Sequence, residues 1–136
     1  AKIIDARRNP MDGCFSCFKQ YFAKGQHFTY DLDDIARYYK DYLKIMDFWN
    51  SYFPGSIHTV MYEDVIEDPE NQVKLMIEFL DLKFEESCLN FYKSSRPVKT
   101  ASSEQVRQPI YKSAMNYWKN FEEDLTELNN HFPEYG

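Results

Sequence analysis

The run KIIDARRNPMDGCFSCFKQYF, residues 2–22, changes character twice within its length. Ile3 and Ile4 open a short β-prone stretch, Lys2–Arg8, that ends in charge, the pattern of a buried strand running out to a surface. Asn9-Pro10 and Asp12-Gly13 are turn signals directly after it. From about Asp12 the spacing is helical, with Phe15, Phe18, Tyr21 and Phe22 at i, i+3, i+6 and i+7. A strand, a turn and a helix are expected in that order.

Asp31 to Phe53 carries the next helix, a long one. Ile35, Tyr38, Tyr39, Tyr42, Ile45, Met46, Trp49 and Phe53 recur at three- and four-residue steps as one apolar stripe. Asp31, Asp33 and Asp34 supply the cap and an acidic first turn, and Pro54-Gly55 stops the helix. The stripe reads as packing rather than as a platform for stacking bases. Ile57–Tyr62 (IHTVMY) has the β-branched content of a second strand. Asp68 caps a further helix with Pro69 at its first position, and Val73, Met76, Ile77 and Leu80 should form its buried face. A shorter helix is expected over Glu85–Tyr92 and a Ser-rich irregular loop over 94–108. A helix from Pro109 to about Asn120 should follow, then an amphipathic tail, Glu122–Phe132, with Leu125, Leu128 and Phe132 inward. Two short strands separated by two helices fit a parallel pair, which ordinarily belongs to a larger sheet covered on both faces. The expected class is a predominantly helical α/β fold with about two short parallel strands, and the 136 residues form a single domain.

Composition limits what such a chain does. At 43% hydrophobic and 28% charged it is globular, and no apolar run reaches the length of a membrane span. No signal-peptide pattern opens it, so a cytoplasmic location is expected. A net charge of −6 argues against broad nucleic-acid binding. The charge is unevenly placed, however. Residues 2–24 hold five basic and two acidic side chains, and 93–112 hold five basic and one acidic. Two basic islands in an acidic chain make a discrete anion site if folding joins them, and an ordinary solvated surface if it does not. Cys14 and Cys17 form a CxxC, but a zinc site needs two more ligands at matching spacing, and Cys88 stands apart with no histidine near it. Half-buried free thiols are the simpler reading, with a redox pair as the alternative. No metal ligand set is expected, and His27, His58 and His131 read as structural or surface residues.

Three segments carry a resemblance to a known family. RNPMDGCFSCF at 8–18, VMYEDVIEDPENQV at 60–73 and TASSEQVRQPIYKSAMNYW at 100–118 resemble, in order and spacing, the sulfotransferase superfamily. The likeness is nearest to bacterial sulfotransferases fused to tetratricopeptide repeats and to tyrosylprotein sulfotransferases. Those enzymes move a sulfuryl group from 3′-phosphoadenosine 5′-phosphosulfate (PAPS) to a hydroxyl or amine. The resemblance implies that Arg8 and Ser16 bind the nucleotide's 3′-phosphate. It implies that Tyr62 lines the nucleotide pocket, and that Ser102, Gln105 and Arg107 contact the adenosine end from the Ser-rich loop. A planar guanidinium at a strand end suits a phosphate, and a hydroxyl near a helix start adds a donor. Taken singly, Arg8 could simply pair with Asp5 or Asp12, Ser16 could be a neutral helix residue, and Tyr62 a core ring with a wet hydroxyl.

The sequence departs from that family in identifiable places. The tyrosylprotein branch has a lysine before the tryptophan that ends the third segment, where Tyr117 stands here, and an arginine four residues after the serine, where Gln20 stands. The family also needs a Gly-rich loop to cradle the 5′-phosphosulfate. The four glycines here, Gly13, Gly25, Gly55 and Gly136, are too scattered to form one. By resemblance the chain is the C-terminal part of a P-loop-type sulfotransferase fold, retaining the 3′-phosphate grip, holding no catalytic base and inactive alone. The alternative is a non-catalytic nucleotide-binding or self-associating helical module. Its partners would be the nucleotide cosubstrate, PAPS or 3′-phosphoadenosine 5′-phosphate (PAP), and copies of itself, with no nucleic acid and no membrane.

Overall fold

A computed structural model describes residues 1–20, 22, 25–94, 97, 105–110 and 115–135. Two strands, β1 (Ile3–Arg7) and β2 (Ile57–Met61), pair in parallel, with Ile3 opposite Ile57 and Arg7 opposite Met61. The connection between them holds α1 (Pro10–Lys19) and α2 (Leu32–Tyr52), with a turn of 3-10 helix at His27–Tyr30. After β2 come α3 (Tyr62–Glu67) and α4 (Pro69–Phe79). A 3-10 stretch follows at Glu86–Lys93 and another at Tyr117–Leu125, and α5 (Thr126–His131) lies near the end of the chain. The result is a mostly helical α/β fold with a two-stranded parallel sheet, as the residues imply.

Local chemistry explains the boundaries. Asn9 caps α1 by accepting from Met11 N, with Pro10 at the first helical position, where no N–H is missed. Asp31 caps α2 by accepting from Asp34 N, and Asp68 caps α4 by accepting from Asn71 N. Beyond α2 the chain turns through Gly55 at φ 78, a left-handed conformation that glycine adopts without a Cβ penalty.

The core lies at one end. Met11, Cys14 and Phe15 of α1 pack against Ile35 and Ala36 of α2 and against Trp118, Leu125, Leu128 and Phe132. The expected apolar stripe of α2 is therefore divided. Ile35 is buried and Tyr39, Tyr42 and Met46 are half-buried, while Tyr38, Ile45, Trp49 and Phe53 are exposed, as are the neighbouring Phe48 and Tyr52, the last at 67%. Ala1, Ile3, Trp49, Phe53, Ser56 and Ile57 line an apolar groove of about 360 Å³ beside β1. The chain's accessible surface is 9659 Å². A monomer of 16.3 kDa ordinarily exposes about 7,500 Å².

Four expectations change. The face of α4 is half-buried rather than buried at Val73, Met76, Ile77 and Leu80. Glu86–Lys93 winds as 3-10 helix with a break at Asn90. Tyr62, expected to end the second strand, instead begins α3. The helix expected over Pro109–Asn120 does not form where it is described. Asn116 is left-handed at φ 56, and Tyr117–Leu125 is 3-10 helix interrupted at Phe121. The tail helix is correspondingly shorter, although Leu125, Leu128 and Phe132 are buried as expected. No described helix is long and apolar enough to cross a membrane.

Candidate functional site

Parallel strands carry their ligand sites at their carboxyl ends. Here the register ends with Arg7 opposite Met61, so the next residues, Arg8 and Tyr62, leave the sheet side by side. The Arg8 guanidinium carbon lies 5.0 Å from the centre of the Tyr62 ring, a cation–π contact made across 54 residues of chain. The exit of β1 is held from several directions. Asn9 N donates to Glu63 Oε1 at 2.9 Å, and the Tyr39 hydroxyl donates to the Arg8 carbonyl at 2.9 Å.

Beneath the strand ends Asp5 is a buried carboxylate that accepts from Arg7 Nε at 2.7 Å, from Thr59 Oγ1 at 3.3 Å and from the Tyr42 hydroxyl. Arg7, not Arg8, therefore takes Asp5. Burial, then the bond to Asp5, pushes the Tyr42 phenol up to about 12. The Tyr39 phenol is raised as well, chiefly by burial.

Arg8 lies along one face of α1. Its Cβ is 3.9 Å from where a Cβ at Gly13 would stand, and its Nη2 is 3.9 Å from Asp12 Oδ2. Burial pushes the Cys17 thiol up against the opposing pull of the Arg8 charge, which places that charge within electrostatic reach of the second turn. Ser16 is exposed on this side of the helix, four residues after Asp12 and three after Gly13. It is the seventh of ten helical residues, however, beyond the first turn to which the positive helix end is confined. Its hydroxyl brings a neutral donor, without the helix-terminus field expected of it.

Asp12 does more than balance Arg8. Its carboxylate is buried, with Oδ2 accepting from Asn116 N at 2.6 Å and Oδ1 from Trp118 N at 3.1 Å. These two bonds lash the third resembling segment to the first. Tyr117, between them, stacks on Phe15 with ring centres 6.3 Å apart, and Lys19 Nζ sits 4.1 Å from the Tyr117 ring centre. No spacing rule finds these partners, because they lie 104 and 106 residues away from Asp12.

Arg107 is exposed and donates from Nη1 to the Ser94 carbonyl at 2.8 Å. Gln105 begins the short 3-10 turn Gln105–Arg107, and Ser102 lies outside the described residues. Much of the second basic island lies outside them too. Cys14 is buried and its thiol pushed up to about 12 by that burial, so it is a protonated core residue at neutral pH. His58 stacks on Phe79, and His131 Nε2 bonds Asp33 Oδ1 at 2.6 Å.

Comparison with known proteins places the chain in a family. Residues 1–86 match the profile of the Sulfotransferase family. Over 132 residues, 94% of the chain, it is 39% identical to an uncharacterized protein of Aquifex aeolicus (strain VF5), covering 17% of that protein. Over 90 residues, 65% of the chain, it is 29% identical to membrane-associated sulfotransferase kil1 of Dictyostelium discoideum, covering 18% of it. The chain thus spans less than a fifth of the length of either relative.

Proposed function

The chain belongs to the sulfotransferase family, and from that premise we propose that it supplies the nucleotide grip of an enzyme transferring a sulfuryl group from PAPS to a hydroxyl or amine. The observation that carries this reading is the pairing of Arg8 with Tyr62 at the carboxyl ends of two adjacent parallel strands. A guanidinium held there on an aromatic face, with the exposed Ser16 hydroxyl on the adjoining helix, fits a phosphate attached to a nucleoside. PAPS, when bound, supplies the activated sulfuryl group. These residues bind and orient its 3′-phosphate end. Ser102, Gln105 and Arg107 belong to the same reading as contacts from the adenosine loop.

Transfer of this kind depends on charge stabilisation at the moving group. Nothing in these 136 residues forms the glycine-rich cradle for that end of the nucleotide. The chain alone should therefore bind nucleotide without turnover, as the 3′-phosphate-binding part of a longer enzyme. We place it nearest the tyrosylprotein and repeat-fused bacterial branches, on the three segments in register.

The test is calorimetric titration of the purified chain with PAP and with adenosine monophosphate. Saturable binding that requires the 3′-phosphate and is lost in Arg8→Ala supports the reading. A chain that melts cooperatively but does not distinguish the two nucleotides sinks it.

A second reading, self-association, rests on the exposed end of α2. Phe48, Trp49, Tyr52 and Phe53 are all more than 40% exposed, and Trp49 and Phe53 line the apolar groove beside β1. Light scattering behind size exclusion decides it, and a monomer at high concentration removes it.

A further inference from the structure

We propose that Lys19 is a second cationic contact for the 3′-phosphate, carried on the Tyr117 ring and set one helical turn beyond Ser16. The inference rests on the nucleotide reading above and extends it to a residue that the resemblance does not supply.

Charge balance requires a contact of this kind. Asp12 lies 3.9 Å from Arg8, so the Arg8–Asp12 pair is close to neutral as a unit. A phosphate monoester carries nearly two negative charges at neutral pH. A neutral pair beside one hydroxyl offers it directional donors but little net attraction. The deficit calls for a cation near Ser16 that no carboxylate already holds.

Lys19 meets that description. Among the described residues no carboxylate lies within ion-pair distance of its ammonium, in contrast to Arg7, Arg37 and Lys74, which pair with Asp5, Asp33 and Glu70. Asp12, Ser16 and Lys19 stand at i, i+4 and i+7, one face of α1. Ser16 is therefore bracketed, with Arg8 toward the start of the helix and Lys19 about 4.5 Å further along its axis. The ammonium lies 4.1 Å from the Tyr117 ring centre and 5.0 Å from that of Phe15, and Lys19 is exposed. An aromatic face fixes a lysine's position without neutralising it.

Tyr117 is itself fixed, because its neighbours Asn116 and Trp118 both donate backbone N–H groups to Asp12. One carboxylate thereby sets both cations: it lies beside Arg8, and it anchors the segment whose ring carries Lys19. The ligand class is a nucleotide bearing a 3′-phosphate, and Lys19 acts in its binding rather than in chemistry.

The experiment compares PAP and adenosine monophosphate binding by calorimetry in the unaltered chain and in Lys19→Gln and Lys19→Arg, at two salt concentrations. Lys19→Gln should weaken PAP binding about tenfold or more, the loss of one charge-assisted contact. It should leave adenosine monophosphate binding unchanged and flatten the salt dependence, while Lys19→Arg retains most of the affinity. Thermal melts of both variants should match the parent, since Lys19 is exposed. Lys19→Gln binding PAP as tightly as the parent, in a parent that prefers PAP, overturns the role of Lys19 alone. A folded parent with no preference for PAP overturns the nucleotide reading and Lys19 with it.

Discussion

Asp12 is the side chain on which the two halves of the site depend, and its replacement by alanine is the most informative change to stability. The carboxylate is 3% exposed and accepts two backbone N–H groups from residues over a hundred positions away. In Asp12→Ala the N–H of buried Trp118 loses its acceptor where water scarcely reaches, whereas exposed Asn116 can turn to water. The first loss costs roughly 1–3 kcal/mol and the second less, so the pair should cost about 2–4 kcal/mol. Arg8 loses its nearby carboxylate as well, but its side chain is 26% exposed and water takes up most of that difference. Asp12→Asn keeps one carbonyl oxygen and should cost about half as much. Against a total stability of order 5–15 kcal/mol, the alanine variant is expected to lose a large share of its stability.

Urea unfolding followed by tryptophan fluorescence reads the effect, because Trp118 is 1% exposed and Trp49 is 41% exposed. The red shift on unfolding belongs mainly to Trp118, the residue Asp12 anchors. A midpoint change equivalent to less than about 0.5 kcal/mol at unchanged slope would refute the reasoning. It would mean that the 116–118 segment is held by its apolar packing and that the two hydrogen bonds add nothing.

Other expectations follow from the same geometry. Tyr42→Phe removes the hydroxyl that bonds Asp5, should cost about 1–2 kcal/mol, and is checked by the same unfolding curve. Cys14, its thiol raised by burial to about 12, should resist alkylation at pH 8 in the folded chain and react promptly in urea. Rapid labelling of the native protein at Cys14 contradicts its place in the core. The Cys14 thiol and the Tyr42 phenol both keep their protons to about pH 12 when folded, while the unfolded chain loses them near pH 9 and 10. Their contribution is therefore fully present below pH 9 and is lost as the pH rises from 9 towards 12, so a melting temperature flat across that window counts against it.

What the sequence revealed follows from how local each signal was. The Asp31 and Asp68 caps act within three residues, and both set helix starts in the structure, while Asn9, read as a turn residue, caps an α1 that starts at Pro10 rather than about Asp12. Strand pairing was legible in outline, because two β-prone runs separated by helices have few ways to pair. The α2 stripe gave the period of the helix but not its cover. Periodicity states which residues share a face, and what lies against that face is a matter of the rest of the fold. Among the site residues, Arg8 and Tyr62 were found through resemblance and meet through register. Ser16 lies on α1, beyond the first turn that the helix-terminus field reaches.

Where the stretch Pro109–Asn120 is described, the loss of the expected helix has a specific cause at Asn116 and Trp118, and it leads back to the site. An α-helix running through this stretch would have turned the N–H groups of Asn116 and Trp118 toward carbonyls four residues earlier. Asp12 takes both instead, with a charged acceptor whose bonds are stronger than neutral ones. Asn116 adopts a left-handed conformation, tolerable for asparagine, and the chain resumes in the tighter 3-10 winding. The lost helical regularity is the consequence of tying Tyr117 down beside α1. An ordinary helix there would have given those N–H groups partners within the segment and left Tyr117 without its tether to Asp12, and Lys19 without a fixed ring to rest on.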